Sequence, residues 1–168
     1  MATSTLPPSN DATSSTFDTL QGYRSAVIAI ISQARHTLQL CEKDFAECDL
    51  GSRANQQILW DFFSQASPGR LQLLASNTDY LAGHCPRFLQ LRDRFAHLIE
   101  IRVIPEYVQY GQKGWMLADQ SHYLIRHHYD WYRGELAQDA KYAALLQQQF
   151  ATLWEQSEPA SSLQRFDL

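Results

Sequence analysis

Trp115-Met-Leu-Ala-Asp-Gln-Ser-His-Tyr-Leu-Ile125 decides how this chain is read. Two short apolar runs, Trp115 to Ala118 and Tyr123 to Ile125, flank Asp119-Gln-Ser121, and that pattern predicts a β-hairpin. Upstream of it the pattern is different. Thr37-Leu-Gln-Leu-Cys41, Arg70-Leu-Gln-Leu-Leu-Ala75 and Leu98-Ile-Glu-Ile-Arg-Val-Ile104 read as three strands. Pro68-Gly69 and Pro105 punctuate them. Between the strands lie helical stretches. One starts at Gly51-Ser52 with Ile58, Leu59, Phe62 and Ala66 on its apolar face. The other follows Ser76-Asn-Thr-Asp79, is interrupted at Gly83 and Pro86, and is surest over 86–96 with Phe88, Leu91 and Phe95.

Asp18-x-x-Gln21 resembles a capping box and opens a first helix near 18–35. After the hairpin, Ala143, Leu146, Phe150, Leu153 and Trp154 mark a last helix near 136–157. The order is helix, β-α-β-α-β, hairpin, helix. It predicts an α/β fold: a mostly parallel sheet with a C-terminal hairpin and helices on both faces.

A length of 168 residues fits one domain, placed here at 17–158. Residues 1–16 hold eight Ser/Thr and two adjacent prolines, with no apolar core and no arginine. They read as a flexible tail rather than a secretory signal or transit peptide. Residues 159–168 read as a second tail. The longest apolar run, Ala26 to Ile31, is far short of the about 20 residues a membrane span needs. Three cysteines cannot all pair within the chain, which implies a reduced, cytoplasmic setting. Fourteen Lys+Arg against eighteen Asp+Glu give a net charge of −4, which argues against nucleic acid as a partner.

At the hairpin the chain resembles one half of the phospholipase D superfamily. More narrowly, it is similar to a bacterial family of phospholipase D-like domains of unknown function, in some members fused to an acetyltransferase. The resemblance spans about 18–158 and rests on the element order, Ile101-x-x-Ile104-Pro105, the hairpin around Asp119, and Phe150-x-x-Leu-Trp154-Glu-x-Ser157-Glu-Pro159. The superfamily motif is H-x-K-x4-D followed by G-S-x-N. One His attacks phosphorus, a second protonates the leaving group, and Lys and Asn hold phosphate oxygens. Anchored on Asp119, the His position falls on Gln112 and the Lys position on Gly114. The G-S-x-N positions fall on Arg126, His127 and Tyr129, so only the Asp is kept. Lys113 is one residue out of register, which on a strand sends it to the opposite face. None of the six histidines starts an H-x-K, and covalent catalysis fails without its nucleophile. No catalytic residue is assigned. The resemblance implies a degenerate motif, a pseudoenzyme.

Seven aromatics fall within 107–133, about twice the chain average. Such residues with a few polar groups build ligand pockets and protein interfaces, or pack a core. The candidate binding residues are Asp119, Arg126, His127, His128, Tyr129, Asp130 and Trp131. His127-His128-Tyr-Asp130 holds metal-ligand types, but neighbours on a strand face opposite ways, and no metal or cofactor is expected. Glu42, Asp44, Glu47 and Asp49 crowd the loop after the first strand, and Ser76, Asn77 and Asp79 the loop after the second. Ligands of open α/β sheets bind at such loops, and the same residue types also serve as ordinary loop and cap formers.

Two function classes follow. One is a non-catalytic module binding a partner protein or small ligand. Because active superfamily members pair two halves, it implies a homodimer or docking to another domain such as an acetyltransferase. The other is an enzyme with rebuilt chemistry, a phosphoester hydrolase or transferase using Asp119 with His127 or His128.

Overall fold

The Thr19 side chain accepts a hydrogen bond from the Gly22 N–H at 3.0 Å, and α1 (Leu20–Gln33) begins there, one residue past the expected cap at Asp18. The computed structural model describes residues 14–163. β2 (Thr37–Glu42), β3 (Arg70–Ala75) and β4 (Ile99–Val103) are the three predicted strands. Between them run α2 (Arg53–Phe63), capped by Ser52, then α3 (Asp79–His84) and α4 (Pro86–Arg94). The break between the last two falls at Cys85, where Pro86 takes the first-turn position in which a missing N–H costs nothing. The hairpin is β5 (Gly114–Ala118) and β6 (His122–Arg126).

Three strands were not expected. β1 (Ser15–Phe17) begins in the last two residues of the stretch read as a tail. β7 (Gly134–Gln138) replaces the start of the expected last helix, so α5 is Ala140–Gln156. Asp139 caps it, its Oδ1 accepting from the Lys141 and Tyr142 N–H groups at 3.0 and 3.2 Å. β8 (Glu158–Pro159) spans the boundary of the expected second tail, and a 3-10 turn (Ser161–Leu163) lies within it. Ala160 and Leu163 are buried, so the chain is packed there. Residues 1–13 and 164–168 of the two expected tails lie outside the described residues.

The eight strands form one sheet in the order β1-β7-β6-β5-β2-β3-β4-β8. The chain is α/β as expected, but the sheet is mixed. Only β2–β3 and β3–β4 are parallel; every other pairing is antiparallel. Parallel pairing needs a helical crossover, and only the β-α-β-α-β segment supplies one.

Residues alternate between two cores. Leu38, Leu40, Leu71, Leu73, Met116 and Leu124 face α1, α2 and α4. Cys41, Leu74, Trp115, Leu117, Tyr123 and Ile125 face α5, which contributes Ala143, Leu146, Phe150 and Leu153. The alternation follows from the period of two along a strand. It also fixes where Glu42 points: with Leu38 and Leu40, into the α1 side. Gly134 lets β7 seat against its neighbours, because a Cβ there would enter the Ile125 carbonyl and the Phe17 ring.

Candidate functional site

Asp119 and Gln120 make the hairpin turn with φ of 54° and 64°, the left-handed backbone that a tight β-turn of this kind demands. The Asp119 carboxylate faces the start of β2. Its Oδ2 accepts from the Arg35 N–H at 2.7 Å, and Oδ1 from His36 and Thr37 at 2.7 and 3.0 Å. Partial burial works to raise its pKa, but these three N–H groups outweigh it and hold the carboxyl below its ordinary value. Asp119 thus ties the hairpin to the start of the neighbouring strand.

The other end of the hairpin holds the ionic site. Gly114 and Arg126 are register partners there, and Glu42 closes the adjoining β2. Arg126 Nη2 is ion-paired with Glu42 Oε1 in a buried contact. Tyr23 of α1 donates its hydroxyl to Glu42 Oε2 at 3.1 Å, and the Lys43 N–H reaches Oε1 at 3.3 Å. Arg126 Nη1 donates to the Tyr129 carbonyl at 2.8 Å. The guanidinium also lies 5.2 Å from the Tyr23 ring centre and 5.6 Å from that of Tyr129, within cation–π range. Both charged side chains are only 2–3% exposed, so bulk water does not screen the pair.

Burial pushes the Glu42 carboxyl above its ordinary pKa, and Arg126, the Lys43 N–H and Tyr23 offset that only in part. Burial works against the Arg126 charge, but contact with Glu42 more than compensates and the guanidinium stays protonated. Tyr23 is fully buried, and desolvation with the adjacent Glu42 charge drives its hydroxyl well above the ordinary value.

Gly114 explains how the pair fits. A Cβ at this position would enter the Glu42 carboxylate. Gly114→Ala is therefore expected to destabilise the fold by about 1–3 kcal/mol, the usual range for overpacking. Urea unfolding at constant m checks this; an unchanged midpoint would contradict the close approach.

The rim is aromatic. The Tyr129 N–H donates to the Gln112 carbonyl at 2.9 Å, joining the loop before β5 to the loop after β6. In the second loop the His128 ring packs against Trp131, centres 5.5 Å apart, and its Nδ1 accepts from the Asp130 N–H at 3.0 Å. Trp131 is 61% exposed, and Tyr107 on the first loop is 80% exposed. Asp130, Trp131, Tyr132 and Arg133 line a depression of about 350 Å³ with Asp18. Deeper in, the Tyr110 hydroxyl meets that of Ser76, and burial drives the Tyr129 hydroxyl far above its ordinary pKa. A separate hollow of about 430 Å³ lies at the other end of β2, lined by Gln39, Gln72 and Gln147 among others, remote from the ion pair.

The structure brings Arg126 and Tyr129 together, and groups His128, Asp130 and Trp131 in one turn. His127 is exposed, its main chain paired with Arg133. Asp119 stands apart at the opposite end of the hairpin, its carboxylate engaged by main chain, so it does not meet His127 or His128. Lys113 lies 5.7 Å from the Trp115 ring centre, on the α5 side of the sheet, away from Glu42. The place of Tyr23 in this site and the inward role of Glu42 were not read from the sequence, which put Tyr23 only on the buried stripe of the first helix. A signal existed: positions 38, 40 and 42 share one face, so a carboxylate following Leu38 and Leu40 needs a buried partner.

The mixed eight-stranded sheet, with the Asp119-bearing hairpin beside its parallel strands, is similar to that of solved phospholipase D-fold structures. Nuc from Salmonella typhimurium, a phospholipase D family member, superposes with a TM-score of 0.62 at 9% identity, over 89% of this chain and 98% of that one. NucT from Helicobacter pylori gives 0.58 at 12% identity, over 89% and 99%. TrmBL2, an archaeal chromatin protein that binds DNA, gives 0.63 at 11% identity over 94% of this chain, which spans only 57% of TrmBL2. No curated protein sequence matches the chain. The chain belongs to the family described as Domain of unknown function (DUF7931), whose model matches residues 19–166. Among the described residues, no helix is long and apolar enough to cross a membrane.

Proposed function

We propose that this chain is a non-catalytic phospholipase D-like module that binds a partner protein or small ligand through the loops 105–113 and 127–133. The observation that carries the reading is the Glu42 carboxylate filling the space a Cβ would take at Gly114, where the sequence spacing puts the motif's phosphate-holding Lys. A side chain at that position would have to displace the Glu42 carboxylate, and the neighbouring guanidinium is already engaged by Glu42. The site's charge is therefore satisfied within the chain, and the motif's nucleophile position is Gln112.

Binding at the rim draws support from Trp131 and Tyr107, large aromatics left exposed on two loops that the Tyr129–Gln112 hydrogen bond holds together. Exposed aromatics on a fixed scaffold are the usual anchors of protein interfaces. The partner is a second copy of the chain or another domain, an acetyltransferase among the candidates. Nucleic acid is disfavoured by the net charge of −4.

Sedimentation over a wide concentration range, together with affinity capture, tests the binding role. Concentration-dependent association or specific retention is expected, weakened at least about tenfold by Trp131→Ala. A chain that stays monomeric throughout and retains nothing would remove the support for this role.

A further inference from the structure

The donors around Glu42 come from three separate segments. Arg126 reaches it from β6, Tyr23 from α1 at 3.1 Å, and the Lys43 N–H from the main chain at 3.3 Å. Gly114 leaves open the space that the carboxylate fills. One donor in this group is unused: Arg126 Nε is buried and has no hydrogen-bond partner among the described residues. A planar carboxylate offers two oxygens and cannot occupy every face of the guanidinium. A buried donor left unpaired is costly, and an anion with more oxygens than a carboxylate can pair it once the carboxylate is gone.

We propose that Arg126, Tyr23 and the Lys43 N–H form a small-oxyanion site that Glu42 occupies in cis, and that removing this carboxylate opens the site to a free tetrahedral oxyanion. Glu42 is then the residue that decides what the pocket holds. In the native chain it is the ligand. Without it, Arg126 is a buried cation lacking a counter-ion, and the volume of the lost side chain is available for one. Phosphate, with four oxygens, can use Nε as well as the Nη2 that Glu42 takes. It should therefore bind more tightly than formate.

The experiment uses the full chain with Glu42→Ala, Glu42→Gln and the double variant Glu42→Ala/Arg126→Met. The probes are inorganic phosphate and sodium formate, with sodium chloride at matched ionic strength to remove general screening effects. Calorimetric titration and thermal shift should show saturable phosphate binding to Glu42→Ala, at least about tenfold tighter than to the native chain. Formate should bind Glu42→Ala more weakly than phosphate does. Glu42→Gln fills the same volume and should stay closed, and the double variant should lose the binding. Where Glu42→Ala is unfolded without added anion, phosphate-dependent refolding gives the same readout through linkage.

Equal phosphate binding by the native chain or by Glu42→Gln would overturn the proposal, as would persistence in the double variant. Glu42→Ala that neither binds phosphate nor is stabilised by it would overturn it too. The inference rests on the closed-site reading, but the two fail differently. Phosphodiester turnover by the native chain would sink that reading. Absence of binding in Glu42→Ala, with the native chain inert, would sink only this inference.

Discussion

Replacing Arg126 with methionine is expected to cost the fold about 3–5 kcal/mol, because it strands the Glu42 carboxylate in the core. Most of that loss is the penalty of an unpaired buried charge rather than the net worth of the ion pair. The variant should therefore show a specific pH dependence. Burial already holds the Glu42 carboxyl above its ordinary value, and Arg126 is the main group that pulls it back. Without Arg126 the folded-state value rises further. A carboxyl raised in the folded state leaves stability intact below its unfolded value, about 4.3, and removes it as pH climbs through the folded value. The deficit of Arg126→Met relative to the native chain should thus be smallest near pH 4 and grow toward pH 8. Adding Glu42→Gln should recover more than half of the loss at pH 8, since it removes the stranded charge. Urea unfolding at several pH values reads both effects. A deficit that does not change with pH would show that Glu42 does not depend on Arg126.

Asp119→Ala is the second large effect, about 1.5–3 kcal/mol. The substitution removes a charged acceptor from the Arg35, His36 and Thr37 N–H groups and frees the turn from the start of β2. The figure stays below the sum of three charge-assisted bonds because Arg35 and His36 are exposed and water can replace the acceptor. The pH sign is opposite to that of Glu42. A carboxyl lowered in the folded state supplies stability above its unfolded value, about 3.9, and loses it as pH falls through the folded value. The native chain and Asp119→Ala should therefore converge in acid. A gap of the same size at pH 7 and at pH 2.5 would rule out the carboxylate as its source. Because Asp119 is remote from the rim, the variant should keep whatever binding the 105–113 and 127–133 loops provide.

The β-α-β-α-β segment was legible because its strands are apolar and bounded by turn residues. The hairpin was legible because Asp119-Gln-Ser121 separates two apolar runs. β1 was not. Ser15-Thr-Phe17 is three residues at the end of a Ser/Thr-rich stretch, and it becomes a strand only by pairing with β7. β7 itself, Gly134-Glu-Leu-Ala-Gln138, contains good helix formers, so tertiary pairing between β1 and β6 overrides its local preference. Arg126 and Tyr129 could be named from their motif positions. The partner of Arg126 could not, because Glu42 lies 84 residues away and only the packing of β5 between β2 and β6 brings them together. Asp119 was grouped with the rim by its place in the motif. Its distance from Arg126 follows from the hairpin: turn and open end are separated by the full length of the strands.

Turnover is the most direct test of the central claim, that the phospholipase D-like fold here carries a site closed by its own Glu42–Arg126 pair. The purified full chain, incubated with bis(4-nitrophenyl) phosphate and with DNA across a range of pH and divalent metals, is expected to release no product above the protein-free background. Multiple turnovers per chain that His127→Ala abolishes would contradict it.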